Sequence, residues 1–295
     1  MYGWIRDDAA VAQELKTLSA EGLPATFSET QVWQAADDAP DDVFGWLFVE
    51  RASGKPYFNK NQKSVGSCVS FGTNTTVEAV EAAEITQGDL EDWTSYVEEV
   101  TYGGSRVEIG GGTIRGDGSV GAWAARFLKQ YGLVPRGKYG NYDLTAYDES
   151  TCRSFGRNGV PSELEDVARK FPVKSYVQVS NAEECWKSVG NLNFVAVCSD
   201  VGFEGSRDSD GIIRARGSWG HCMAIIGRAV INGKRYFFIQ NSWERMPGPI
   251  GYGNHPIGGF WAAYETVDSM LRQNDSWSFA GVSGFTKKTI DWSVM

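Results

Sequence analysis

The spacing of apolar residues changes along the chain and predicts helices first and strands later. Residues 7–19 carry apolar side chains at helical intervals, and so does the stretch that follows residue 68. Ser162 and Asn181 stand at the starts of two further predicted helices. The predicted strands cover 174–179, 194–197, 221–227 and 236–239. This order predicts an α+β protein with a helical half, a β-rich half and a cleft between them.

Both ends of the chain are predicted to be additions to a central unit at 44–275. Residues 1–43 combine an amphipathic helix with an acidic link, and this extension is expected to pack on the central unit. There it either obstructs the cleft or, as the favoured alternative, extends one subdomain. The apolar face of its helix is formed by Ala10, Val11, Leu15 and Leu18.

Residues 276–295 form a predicted C-terminal tail that is rich in aromatic side chains. Aromatic residues bury large areas and anchor many interfaces, so the tail either folds back onto its own domain, which we favour, or docks a partner. The aromatic residues concerned are Trp277, Phe279, Phe285 and Trp292.

Composition narrows the class of protein. The five cysteines have no disulfide-framework spacing, and residues 1–8 lack an apolar signal core. We therefore expect reduced thiols and a cytoplasmic protein, or one incorporated in a particle assembled in the cytoplasm. A net charge of −9 argues against nucleic-acid binding, and no apolar run is long enough to span a membrane. Neither a metal site nor a cofactor is predicted.

Cys68 and His221 are the strongest candidates for chemistry. A thiol attacks well only as a thiolate, so a nucleophilic cysteine needs an electropositive position and a nearby imidazole. Cys68 follows two small residues and opens a predicted helix, whose positive end favours the thiolate. His221 begins a predicted buried strand, after Gly220, and a strand holds a general base rigidly.

Three further residues complete the candidate set. Asn241 follows a predicted strand, and its side-chain oxygen can accept the second ring N–H of His221 and so select the tautomer that faces the thiol. Trp243 can shield that bond from water. Gln62 precedes Cys68 by six residues and can direct its amide at a developing oxyanion. Together these residues predict peptide-bond hydrolysis through a cysteine nucleophile.

At these positions the chain resembles the papain/cathepsin family of cysteine proteases. Gln62 and Cys68 match the family's oxyanion glutamine and nucleophile, His221 matches its general base, and the run 241–243 matches its Asn-Ser-Trp segment. The resemblance implies a papain-like two-subdomain fold, with the helical half carrying the cysteine and the β-rich half carrying the histidine and asparagine. It also implies that the glycine-rich run 116–119, with Gly116 and Gly118, is a substrate-binding edge and that the partner is a peptide or protein.

The chain departs from the family pattern at three positions. Val65 replaces a disulfide-forming cysteine, Val69 replaces an aromatic residue, and Glu244 replaces a glycine. These changes keep a second hypothesis open, in which the fold serves as a structural or assembly component of a bacterial or viral particle, joined through its terminal extensions. An acyltransferase that uses the same thiol is a third and weaker alternative.

Overall fold

The computed structural model describes residues 3–34, 39–89, 92–281 and 289–294. The helices are α1 Asp8–Ala20, α2 Gln31–Gln34, α3 Gly45–Ser53, α4 Cys68–Thr86, α5 Glu98–Gly104, α6 Gly121–Gln130, α7 Glu149–Asn158, α8 Ser162–Ala168, α9 Ala182–Gly190 and α10 Tyr264–Leu271. The strands are β1 Val43–Phe44, β2 Lys138–Tyr139, β3 Tyr142–Asp143, β4 Ser175–Gln178, β5 Val195–Phe203, β6 Ala215–Ile231, β7 Lys234–Gln240, β8 Gly259–Ala263 and β9 Trp277–Ala280. A π-helical turn, Ser105–Ile109, continues α5.

Helix α1 confirms the amphipathic helix predicted for residues 7–19. The Asp7 side chain accepts a hydrogen bond from the Ala10 N–H at 2.9 Å and so caps the first turn. Val11 and Leu18 are buried, and the helix packs against α6. This part of the N-terminal extension is therefore joined to the helical half by apolar packing.

Helix α4 crosses the centre of the molecule and presents Cys68 at its first position. Most of its residues are buried, because α3, α5 and β6 all pack against it. Gly72 lies one turn after Cys68, and a Cβ there would approach the Cys222 sulfur to 2.8 Å. The missing side chain at Gly72 therefore lets α4 lie close against β6, which carries His221.

One antiparallel sheet forms the β-rich half. Its strand order is β4-β9-β5-β6-β7-β8, and β1 pairs with β6 at one end of that strand. The four strands predicted from the sequence all lie within β4, β5, β6 and β7 or overlap them. Ser199 is the cross-strand partner of His221, and Ile225 pairs with both Val195 and Ile239. The α+β class with a helical half and a β-rich half is therefore confirmed.

The two predicted helix caps differ in outcome. The Asn181 side chain accepts a hydrogen bond from the Glu184 N–H at 2.9 Å, as expected of an N-cap. Ser162, in contrast, is the first helical residue, and Pro161 is the cap, without a side-chain bond. The prediction of a Ser162 cap was wrong because proline fixes φ near the helical value just before the helix and moves the boundary back by one residue.

The start of the predicted C-terminal tail belongs to the main sheet. β9 pairs with β4 and with β5, and both Trp277 and Phe279 are buried in the core. Trp292 is half-buried and packs against the core farther along the chain. Phe285 lies outside the described residues. The described aromatics of the tail thus fold back onto their own domain.

Candidate active site

Cys68 occupies the N-terminus of α4, beneath β6. Its side chain is completely buried, and the Cys222 N–H points at its sulfur with an N-to-Sγ distance of 3.4 Å. Because Cys68 is the first residue of the helix, its own N–H has no partner within that helix. The thiol thus lies beside a backbone N–H that has no hydrogen-bond partner among the described residues, at the positive end of the helix dipole and against the residue that follows His221.

His221 is oriented by Asn241. The Nε2 atom of His221 lies 2.9 Å from the Asn241 Oδ1, which also accepts a hydrogen bond from the Ser242 N–H at 2.7 Å. The atom that accepts from the Ser242 N–H is the amide oxygen of Asn241, which has no hydrogen to donate. The ring must therefore donate to this oxygen, so Nε2 carries the proton. The buried Nδ1 has no hydrogen-bond partner in the described part of the chain. His221 therefore keeps a proton acceptor available on its other nitrogen.

Two tryptophans enclose the imidazole. Trp243 lies 4.9 Å from the His221 ring, centroid to centroid, with the two planes tilted by 30°. Trp219, which the sequence reasoning missed, contacts Trp243 edge-on at 5.2 Å. An apolar wall of this kind keeps water from the bond between His221 and Asn241 and strengthens it. Trp219 precedes His221 by two residues, so its position on the same strand was the only signal in the sequence.

Gln62 is held at both ends of its amide. Its Oε1 accepts a hydrogen bond from the Ser242 Oγ at 2.6 Å, and its Nε2 donates to the Val65 carbonyl at 2.9 Å. In addition, the backbone N–H of Gln62 donates to the Ser242 carbonyl at 2.9 Å, which joins the segment before Cys68 to the segment after Asn241. The amide nitrogen has two hydrogens, so one N–H remains available to an incoming oxygen. Ser242 is a second positioning residue that the sequence reasoning missed.

Residues 3–5 of the N-terminal extension lie across the cleft. Gly3 donates to the Gly220 carbonyl at 3.0 Å and accepts from the Ser119 N–H at 2.8 Å, while the Ile5 N–H donates to the Ser119 carbonyl at 2.9 Å. Gly118 has φ +118°, and a Cβ there would lie 2.8 Å from the Ile5 side chain. Ser119 belongs to the helical half and Gly220 to the β-rich half. The extension therefore bridges both walls of the cleft as well as packing through α1.

Trp4 fills a pocket in the helical half. Its side chain is only 7% exposed, and its indole N–H donates to the Asp275 Oδ2 at 2.7 Å. The same carboxylate accepts from the Trp277 indole at 2.8 Å and from the Gly121 and Ala122 N–H groups at 2.7 Å each. Burial raises the pKa of Asp275 to about 6, although these four hydrogen bonds act in the opposite direction. Trp4 is thus anchored by both packing and a carboxylate.

The covered site holds its two reactive groups neutral. Burial raises the pKa of the Cys68 thiol to about 12, against hydrogen bonds from the Cys222 and Gly3 N–H groups that favour the thiolate. Burial likewise lowers the pKa of His221 to about 4, although the bond to Asn241 favours its charged form. At neutral pH the closed arrangement therefore contains a thiol and a neutral imidazole.

The three departures from the family pattern have different structural consequences. Val65 and Val69 are both buried among apolar side chains. Glu244 adopts φ +60°, so the turn requires the left-handed conformation that glycine adopts most easily. Its backbone N–H donates to the Lys60 carbonyl at 2.8 Å, and its carboxylate accepts from Asn61 at 3.0 Å. The turn after Trp243 is formed in spite of the substitution.

The remaining predicted residue, Gly116, has φ +86° and open space where a Cβ would stand. Its carbonyl accepts from the Arg106 Nη2 at 2.7 Å. Within the described residues, no group of three or more His, Cys, Asp or Glu side chains is arranged to hold a metal ion. None of the described helices is long and apolar enough to cross a membrane.

A thiol at a helix N-terminus, an imidazole on a facing strand and an asparagine that orients it define the class of thiol hydrolases. The family model described as papain family cysteine protease matches residues 51–256. The chain belongs to this family and is a cysteine-type peptidase.

Individual relatives agree with this assignment. Zingipain-2 of Zingiber officinale is 25% identical over 223 residues, which is 73% of this chain and 87% of the relative. Cysteine proteinase 1 of Entamoeba histolytica is 26% identical over 217 residues, 71% of this chain and 62% of the relative, so the matched part spans less than two thirds of that protein. Xylellain, a cysteine protease from Xylella fastidiosa, superimposes with a TM-score of 0.62 at 18% identity, covering 95% of this chain and 96% of that structure. Its likeness extends the shared fold to nearly the whole chain.

Proposed function

We propose that Cys68 is the nucleophile of this peptidase, that His221 is its general base and acid, and that Asn241 positions the imidazole. The observation that carries this assignment is the bond of 2.9 Å between His221 Nε2 and Asn241 Oδ1, which leaves the buried Nδ1 without a partner. His221 is followed by Cys222, and the backbone N–H of Cys222 contacts the Cys68 sulfur. The proton acceptor and the thiol thus lie on facing elements.

In the proposed acylation step, His221 Nδ1 takes the Cys68 proton and the thiolate attacks the carbonyl carbon of the scissile bond. The carbonyl oxygen becomes an oxyanion, which the free N–H of Gln62 and the backbone N–H of Cys68 stabilise. Each donor of this kind typically contributes about 10²–10³ in rate. The protonated imidazole then gives its proton to the leaving amine, the C–N bond breaks, and a thioester remains on Cys68.

Deacylation reverses the proton transfers with water in place of the amine. His221 Nδ1 takes a proton from a water molecule, whose oxygen attacks the thioester carbon. Collapse of the second oxyanion breaks the C–S bond, and His221 returns the proton to the Cys68 sulfur. The products are a carboxylic acid and the free enzyme, so one water is consumed for each bond cleaved. Asn241 keeps the imidazole in a single orientation through both steps.

We further propose that residues 3–5 keep the enzyme latent. They use the backbone groups of Ser119 and Gly220 that an extended peptide would need. A substrate must therefore displace this segment. The pocket that Trp4 vacates would present Asp275, which favours substrate side chains that carry an N–H donor.

Assembly through the terminal extensions and a cytoplasmic location remain predictions from the sequence. The structural alternative gains no support from the family match, since the matching family is described as one of cysteine proteases. The described aromatic residues of the C-terminal tail are used inside the domain.

Covalent labelling with an epoxide thiol inhibitor, followed by peptide mapping, tests the assignment. We expect one adduct per chain, on Cys68, and none on the other four cysteines, since none of those four stands at the first position of a helix. His221→Ala should abolish labelling, whereas Cys185→Ala, which removes a remote buried thiol in α9, should leave it unchanged. An adduct on another cysteine would refute the assignment of Cys68.

A further inference from the structure

A recess rich in arginine lies beside the glycine-rich loop, between residues 112–117 and α7. Its volume is about 260 Å³. Among the residues that line it, the only carboxylate is that of Asp117. The chain as a whole carries a net charge of −9, so this concentration of positive charge stands out against its surroundings. The cations of this arginine recess are Arg106, Arg115, Arg153 and Arg157.

Arg106 forms the floor of the arginine recess and is only 4% exposed. Its guanidinium donates to the carbonyls of Gly156 at 2.8 Å, Gly116 at 2.7 Å and Ile114 at 3.2 Å, and also to that of Gly118. These partners are neutral, and no salt bridge joins Arg106 to a carboxylate within the described ranges. Four arginines line the recess with one carboxylate, that of Asp117, so an excess of positive charge remains there and attracts an anion to this open space.

The rim supplies donors that remain available. Arg115 and Arg157 are exposed, and neither takes part in a salt bridge with any residue that the structure describes. Arg153 is already engaged: it donates to the Ser64 carbonyl and Oγ at 3.2 Å each and forms salt bridges with Asp117 at 3.7 Å and Glu149 at 4.0 Å, so the available donors are those of Arg115 and Arg157. A guanidinium offers paired N–H groups that match the two oxygens of a carboxylate. The recess therefore combines a buried charge with rim groups of the correct geometry.

The recess adjoins the cleft through the loop that Arg106 holds. Ser119, whose backbone pairs with residues 3–5, is three residues after Gly116, so their Cα atoms are at most about 10 Å apart. The recess is open while residues 3–5 occupy the cleft, so a ligand can enter it without displacing them. A peptide whose backbone follows Ser119 would bring a neighbouring side chain to the recess.

We propose that the arginine recess binds the carboxylate of an acidic side chain in a peptide. If the chain cleaves peptides as proposed above, the arginine recess selects substrates that carry Asp or Glu a few residues from the cleaved bond. This selectivity rests on the proposed peptidase function. The binding itself requires neither turnover nor an open cleft. It therefore can be measured on the full chain with Cys68→Ala, which does not alter the recess.

The test is to titrate this full chain with acetyl-Gly-Glu-Gly-amide and with its Gln analogue, using nuclear magnetic resonance or calorimetry at low salt. We expect the Glu peptide to bind at least about tenfold more tightly, with affinity that falls as salt rises. The double variant Arg115→Ala/Arg157→Ala should lose about tenfold in affinity for the Glu peptide. The matched control Arg214→Ala/Arg216→Ala changes the net charge equally at two other exposed arginines and should retain binding.

Equal binding of the Glu and Gln peptides, or equal losses in both double variants, would overturn the proposal. Inorganic phosphate provides a third arm: if phosphate binds and the Glu peptide does not, the recess is a site for free anions and the peptide assignment fails. These outcomes are separate from the proposed function, because loss of peptide binding leaves inhibitor labelling of Cys68 unchanged. Conversely, failure to label Cys68 leaves the carboxylate-binding result intact.

Discussion

Replacing Trp4 by Ala should open the cleft without unfolding the enzyme. The indole is almost fully buried and donates to Asp275 at 2.7 Å, so the substitution removes both packing and a hydrogen bond to a carboxylate. Core replacements of large aromatic residues by Ala cost about 3–5 kcal/mol. Because Trp4 stabilises only the covered arrangement, that cost applies to the closed state. A loss of about 3 kcal/mol shifts the equilibrium towards the open state by about two orders of magnitude.

The assay is the second-order rate of labelling by the epoxide inhibitor, measured on the full chain. Trp4→Ala should label at least about 100-fold faster than the wild type. Trp4→Phe keeps most of the packing and removes the donor, so an increase of about tenfold is expected from the lost hydrogen bond.

Leu18→Ala is the matched control, because Leu18 is buried in α1 of the same extension but does not reach the cleft. It should lower the melting temperature and leave the labelling rate near that of the wild type. If Trp4→Ala labels no faster than the wild type, or if Leu18→Ala produces the same acceleration, residues 3–5 do not control access to Cys68.

Three further predictions follow from the site. Lowering the pH from 7 to 5 should reduce the unfolding free energy of the wild type by about 2 kcal/mol more than that of His221→Gln. The pKa of His221 is about 4 in the folded protein, so between these pH values only the unfolded chain takes up the proton, below its ordinary pKa of 6.5. Parallel pH dependences in urea unfolding would argue against a buried neutral imidazole. In an open-cleft background, Gln62→Ala should reduce kcat by about 10²–10³ with a smaller change in KM, and an effect on KM alone would exclude an oxyanion role. Glu244→Gly should raise stability by about 1 kcal/mol in thermal unfolding because it relieves the left-handed conformation, whereas Glu244→Ala, which keeps that conformation, should not.

The sequence predicted those parts of the site that depend on residue type and local context. Cys68 at a helix start and Asn241 after a strand are local arrangements, and the structure places both as expected. The amphipathic spacing in α1 and the apolar runs of the sheet are equally local. Patterns of this kind reflect one element and the face that it buries.

The rest of the site depends on contacts between distant parts of the chain. Gly3 and Ile5 pair with Ser119 through backbone groups. Every residue has such groups, so the identity of these residues does not indicate the pairing. Asp275 receives bonds from Trp4 and from the start of α6, segments separated from it by 271 and 154 residues. Loop-closing contacts over such distances leave no periodicity. For the same reason the C-terminal aromatics could not be assigned to β9 before the sheet was known.

The most direct test of the central claim is hydrolysis of an unfolded protein substrate by the full chain with Trp4→Ala, compared with Trp4→Ala/Cys68→Ala. We predict steady cleavage by the single variant and none by the double variant, because the thiol forms the covalent intermediate. Both chains should show the same circular dichroism and the same melting temperature within about 2 °C, since Cys68→Ala removes one buried sulfur atom. Cleavage by the double variant at the rate of the single variant would contradict the account.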